Sequence, residues 1–220
     1  MKTFPLAAAA LLAGAALAGA QEPPRVPFVR GDAHVVIGWQ NLHKEQPERQ
    51  YRDDWINSIF YGGAGAGWYW TEHLKTQVDF GAGTKGRQYR FEPLVINGQT
   101  TGTSSRVSVK QQSVAIAQHY QFFRNQWFHP HVGAGIDIAR ETTSEEYQPI
   151  VVFDNVTRTS RQVRPARTEG PDHRTIARPF VETGFKAYMT RRAFFTGDSR
   201  VMFRNGLEEV LFRFGFGVDF

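Results

Sequence analysis

The sequence contains no cysteine, so neither a disulfide nor a thiolate metal site can form. Beyond residue 20 no stretch approaches the ~20 consecutive apolar residues that a membrane-spanning helix needs; the longest runs are of the kind "PIVVF", 149–153. Helical periodicity is also missing, since no segment of useful length spaces its apolar residues by three and four. Mean hydropathy is −0.42. These absences leave two classes of mature chain: a soluble β-protein, or one that crosses a membrane with strands, which requires a closed barrel. Neither sign of charge dominates strongly, with 26 Lys and Arg against 21 Asp and Glu. The arginines are scattered rather than gathered on one helix face, which argues against nucleic acid as a partner.

The first twenty residues, "MKTFPLAAAALLAGAALAGA", have another character. Lys2 is the only charge, an Ala/Leu run follows, and Ala18-Gly19-Ala20 matches a signal-peptidase site. Residues 1–20 are therefore expected to be an export signal, with the mature chain starting at Gln21. Residues 21–32, "QEPPRVPFVRGD", are expected to be an extended periplasmic lead-in. A barrel is expected over 33–220.

What the chain does have is alternation with period two, together with 21 glycines. Eight strands are predicted: 33–40, 58–70, 74–83, 113–122, 128–138, 180–189, 194–203 and 210–220. The last, "VLFRFGFGVDF", sets Val210, Phe212, Phe214, Phe216, Val218 and Phe220 against Leu211, Arg213, Gly215, Gly217 and Asp219. Tight turns are expected at "TEH", "FRNQ" and "TRR". Long polar stretches are expected at 41–57, about 84–107 and about 140–174, with Asn97-Gly98 making a turn inside the second. The last link is short and carries Asn205-Gly206, a hairpin-turn pair.

Alternation does not say which face points outward, but volume does. The interior of an eight-stranded barrel is only just wide enough for its side chains. Phe212, Phe214, Phe216 and Phe220, joined by Trp68, Trp70, Phe80, Tyr120, Phe122 and Phe185, would overfill it, whereas the glycine-, alanine- and charge-bearing face fits. The expected fold is thus all-β: an eight-stranded antiparallel up-and-down barrel, apolar outside and polar inside, which only lipid stabilises. Trp68, Trp70, Tyr120 and Trp127, beside the short turns, then fall where an interfacial aromatic girdle belongs.

The segments "GAGAGWYWTEHLKT", "HPHVGAGID", "GFKAYMTRRAFFTGDSRV" and "FRFGFGVDF" resemble the small outer-membrane β-barrels of Gram-negative bacteria, such as the barrel part of outer membrane protein A. The resemblance covers roughly 33–220 and rests on the ensemble, not on one motif. It implies residence in the cell outer membrane, contact with its lipid and lipopolysaccharide, and a monomer. It also implies that Phe212, Phe214, Phe216, Val218 and Phe220 form the signal read by the barrel-assembly machinery. The peptidoglycan-binding domain of larger family members is not expected here.

Within that frame the inward charges Lys75, Asp79, Asp137, Glu182, Lys186, Asp198, Arg200 and Arg213 have to be paired or hydrated. They make either a structural plug of ion pairs or a leaky ion path. Gly81–Gly86 matches G-x-G-x-x-G, but "RQYRFEP" follows where a dinucleotide site needs a helix. His129 and His131 share a face at strand spacing, which would allow a metal pair, but they are read as polar lining of the barrel near its periplasmic end, with no metal site expected. Arg158, Arg161, Arg164 and Arg167, with Arg174, are candidates for contact with lipopolysaccharide phosphates, a role that suits arginine forks. Small outer-membrane barrels include lipid A deacylases and acyltransferases. Here no serine stands two residues beyond the histidines of "FHPHVGAG", so no catalytic residue, enzymatic activity or cofactor is expected. A structural role and an adhesive one, through the long loops, both stay open.

Overall fold

The computed structural model describes residues 30–43, 55–96, 99–122, 127–154 and 158–220. The expected signal segment, residues 21–29 of the lead-in, and the turns at 97–98 and 123–126 lie outside the described residues. The strands are β1 (Gly31–His43), β2 (Trp55–Tyr69), β3 (Leu74–Gly83), β4 (Gly86–Ile96), β5 (Gln99–Gln121), β6 (Phe128–Tyr147), β7 (Ile150–Asp154), β8 (Thr159–Arg164), β9 (Arg167–Tyr188), β10 (Ala193–Phe203) and β11 (Leu207–Asp219). β1 opens at Gly31, two residues earlier than its alternation suggests.

Every principal pairing is antiparallel, and pairing follows chain order except that β6 pairs with β9 across the β7–β8 insertion and β3 with β5 past β4. β1 closes onto β11, with Asp32 opposite Asp219 and Trp39 opposite Phe212. β5 is long enough to take β3 along its lower half and β4 along its upper half. β3 and β4 are therefore one stave with a break, and the closed barrel has eight staves. At the break Ala82 faces Gln112 and Gly86 faces Val109, so this stave carries one residue more than its partner. That is a β-bulge, and it leaves Thr84 and Lys85 both exposed on the outer face. The G-x-G-x-x-G run is this bulge, on a strand with no helix after it.

The short connections 70–73 and 189–192 sit at the end of the barrel where β1 begins and β11 finishes. The final hairpin turns at the other end, where Gly206 has φ +132°, a conformation that glycine adopts freely. Around the outside runs a band of exposed apolar residues that includes Val35, Ile37, Phe80, Ile116, Ile136 and Val181. Trp68, Trp70, Tyr120 and Trp127 stand exposed at its short-turn edge, with Trp39 and Phe60 packed edge-to-face toward the other. Phe212, Phe214, Phe216 and Val218 form an outward column on β11, and Phe220 continues it, pairing through its backbone with Gly31.

The structure corrects the expected long loops. Much of 84–107 and 140–174 is strand: β4 with the upper half of β5, and the upper parts of β6 and β9. Beyond the apolar band the outer face no longer meets lipid, so strict alternation is no longer required, although Val107 and Val109 still point into a buried inner layer. The ladder itself, as in Tyr89–Arg106 and Glu146–Thr168, carries the structure upward. β7 and β8 form a separate hairpin linking the outer tips of β6 and β9.

Candidate functional site

The lumen holds three tiers of charge. Nearest the short turns, Lys75 Nζ donates to Asp32 Oδ2 at 3.1 Å, and Lys186 donates to the same carboxylate and, at 3.3 Å, to Asp219. Tyr69 Oη donates to Asp32 at 2.9 Å and Tyr188 Oη to Asp219 at 2.6 Å. In the middle tier Arg213 reaches Asp198 (2.7 Å) and Asp79 (3.1 Å). Arg200 reaches the same Asp79 (2.6 Å) and Glu182 (2.8 Å). His34 lies 3.0 Å from Asp79, and Gln77 donates to it. In the upper tier Arg178 forks between Glu209 and Asp137, 2.6 Å to each. Gln40 and Gln111 donate to Glu209 from the side.

All eight charges picked from the sequence are brought together here: Lys75, Asp79, Asp137, Glu182, Lys186, Asp198, Arg200 and Arg213 all face the lumen. The sequence reading missed several of their partners. Asp32 falls in the expected lead-in, Arg178 just before a predicted strand, and Glu209 at a predicted turn. Only pairing register, with Asp137 opposite Arg178, reveals what they meet.

Packing brings a second surprise, because the inner face is not polar throughout. Val36, Tyr61, Ala115, Ala117, Phe180, Met202 and Leu211 form one buried cluster. Leu42, Ile56, Ile59, Val107 and Val109 form another toward the far end. The larger inward apolar residues fit because neighbours are small: a Cβ on Gly81 would stand 1.8 Å from the Tyr61 hydroxyl, and one on Gly135 2.7 Å from the Phe180 ring. Charged tiers alternating with apolar layers fill the interior. Each charge named above meets at least one opposite charge there, which lowers the cost of its burial.

Of the two histidines read as a pair, His131 is buried in the lumen, while His129 tilts against Tyr188 near the rim, with ring centroids 4.9 Å apart. The neighbour of His131 is instead His119 on β5. The two rings stack at 5.1 Å, and Glu182 comes within 2.7 Å of His119.

Outside, above the apolar band, a group of cations goes unremarked by sequence periodicity. Lys85 and Arg87 (β4 side), Lys110 (β5) and Arg140 (β6) are exposed on adjacent staves. The register brings them close, with Arg87 opposite Ser108, Lys110 opposite Thr142, and Arg140 opposite Gln112. Among the described residues none of the four forms an ion pair. Arg158, Arg161 and Arg164 lie exposed on the hairpin, and Arg167 faces Glu169 at 3.2 Å and Tyr147. From Ile138 to Tyr147 the strand climbs ~20 Å, given a rise of ~3.3 Å per residue and a tilt near 40°. The tip of β6, where Arg167 pairs, is thus well above the edge of the band, while the Lys85–Arg140 group lies just above it.

Among curated proteins, none matches the chain in sequence. Solved structures of similar fold include neisserial surface protein A, with a TM-score of 0.53 at 12% identity, covering 86% of this chain and 97% of that one. The N-terminal β-barrel domain of Pseudomonas aeruginosa OprF gives 0.48 at 11%, covering 88% and 100%. Ail, the attachment invasion locus protein of Yersinia pestis, gives 0.48 at 11%, covering 87% and 99%. At such identities the likeness is one of fold. The model of the outer membrane protein beta-barrel domain matches residues 6–220. With its outward apolar band and its filled interior, the chain belongs to that family.

Proposed function

We propose that this protein is a non-conducting, non-enzymatic barrel of the cell outer membrane, exported by residues 1–20, with a structural and surface-interaction role. The observation that carries this reading is the filled lumen. The forks run from Asp32 through Asp79 to Glu209, and apolar layers close the gaps between them. Such an interior holds a shape and offers no continuous aqueous path. Column β11 would serve as the strand presented to the assembly machinery.

The interaction surface is assigned to the outside of the barrel. Phosphates of lipopolysaccharide sit at the upper edge of the hydrocarbon layer. The cations at that height are Lys85, Arg87, Lys110 and Arg140, which have no carboxylate to compete for them among the described residues. Arg158, Arg161, Arg164 and Arg167 stand on or beside the hairpin that joins the strand tips, where they can meet anionic sugars or another surface. Replacing Lys85, Arg87, Lys110 and Arg140 together by alanine is expected to weaken binding of lipopolysaccharide to the refolded barrel by ~10-fold or more, as each exposed contact is worth only a few tenths to ~1 kcal/mol. Replacing the hairpin arginines is expected to change that binding little. Titration with intact and with dephosphorylated lipopolysaccharide measures both. Equal affinity of the four-site variant and the native chain would remove the collar from the proposal.

A further inference from the structure

His119 and His131 are left over when the ion-pair ladder has been accounted for, and both face Glu182, whose other oxygen that ladder holds. The three come from adjacent staves: His119 on β5 faces Gly133 on β6, and Gly133 faces Glu182 on β9. His119 and Glu182 thus reach toward one another across a glycine. A Cβ there would stand 2.6 Å from His119 Cδ2 and 3.1 Å from Glu182 Cγ. His131 lies diagonally below, opposite Gly184, where a Cβ would stand 2.9 Å from its Nε2. Glycine at 133 and 184 makes the chamber in which the two imidazoles fit.

The two oxygens of Glu182 do different work. Oε2 accepts from Arg200 at 2.8 Å. Oε1 faces the histidines, 2.7 Å from His119 Nε2 and 3.9 Å from His131 Nε2. Yet the near approach is not a hydrogen bond. His119 Nε2 and Glu182 Oε1 are both buried without a hydrogen-bond partner, as are both outer Nδ1 atoms. Buried polar atoms left so are uncommon, and each calls for an explanation. Two of these unpartnered atoms, His119 Nε2 and Glu182 Oε1, face one another, and His131 Nε2 lies beside them. All three ligand atoms lie within 4.8 Å of one another. The distances of 2.7 and 3.9 Å from Glu182 Oε1 bracket the ~3.3 Å that separates neighbouring ligands on a tetrahedral ion with bonds of ~2.0–2.1 Å.

Charge points the same way. Between the rim and the upper tier the lumen holds the carboxylates of Asp32, Asp79, Asp137, Glu182, Asp198, Glu209 and Asp219 against the cations Lys75, Arg178, Lys186, Arg200 and Arg213. With the histidines neutral this leaves a formal excess of two negative charges.

We propose that His119, His131 and Glu182 form a binding site for one divalent first-row transition ion, of the borderline softness that suits two imidazoles and a carboxylate, such as Zn²⁺. The ion would cross-link β5, β6 and β9, balance the lumen charge, and keep at least one coordination position for water.

The test uses the full mature chain, free of any purification tag, refolded in detergent and stripped with chelator. Calorimetric titration with Zn²⁺ is expected to show one equivalent bound. Co²⁺ is expected to give the visible d–d bands of a low-coordinate site. His119→Gln and His131→Asn should each weaken the binding by ~100-fold or more, while the variants keep the gel-mobility shift of a folded barrel. No stoichiometric binding by the native chain overturns the site, and that result needs no variant. Binding that survives both substitutions in folded protein overturns it as well, by assigning the ion elsewhere.

Discussion

Replacing Ile116 by arginine is expected to destabilise the folded barrel in a phospholipid bilayer by about 2–4 kcal/mol, the range for a cation on the lipid face near mid-membrane. Ile116 is 53% exposed on β5, and the same row contains Val78 on one side and Ile136 on the other. A half-exposed isoleucine in water tolerates arginine, with changes within about ±0.5 kcal/mol. The size of the effect therefore reports what surrounds the barrel. Val95→Arg supplies the comparison. Val95 is 72% exposed near the far end of β4, above the band, and arginine there is expected to cost almost nothing. Reversible denaturant unfolding in vesicles measures both, and equal small effects would place both residues in water.

Arg213→Ala should be more damaging, by about 3–5 kcal/mol, because removing one partner leaves buried charges uncompensated. Arg213 is wholly buried and touches three carboxylates, with Nε 2.7 Å from Asp198, Nη1 3.1 Å from Asp79 and Nη2 3.5 Å from Glu182. Lysine cannot reproduce the fork, so Arg213→Lys is expected to recover only part of the loss. Adding Asp198→Asn to Arg213→Ala should cost less than the sum of the single changes, since the second removes a charge that the first stranded. Additive effects in unfolding measurements would mean that the tier is not coupled.

The parts of this molecule that alternate were legible in the sequence because two solvents enforce the alternation. Between Trp68 and Phe60, or Phe220 and Phe212, one face must suit lipid and the other a narrow lumen, and the residues say so. Above Ile138 that demand ends. Thr142, Ser144 and Glu146 resemble any loop, yet they continue a strand, because backbone pairing alone holds it. The bulge at Thr84-Lys85 shifts the parity of everything after it, so the collar cations on β4 cannot be assigned a face from spacing. Partnership in the lumen is likewise a property of register. His119 and Glu182 stand 63 positions apart and meet only because Gly133 lies between them. The inner apolar clusters escape for a different reason. Leu42 and Ile56 are paired across an irregularity between Gln40 and Leu42, where a strict period of two fails.

The central claim is that the interior is a plug. The most direct measurement is the current through a planar bilayer containing the purified, refolded chain over a range of voltages and salt concentrations. The account predicts a quiet membrane, with no stable open level, because forks centred on Asp32, Asp79 and Glu209 and the apolar layers packed with them span the lumen. Long-lived, uniform conductance steps from the native chain would contradict it and make this barrel a channel.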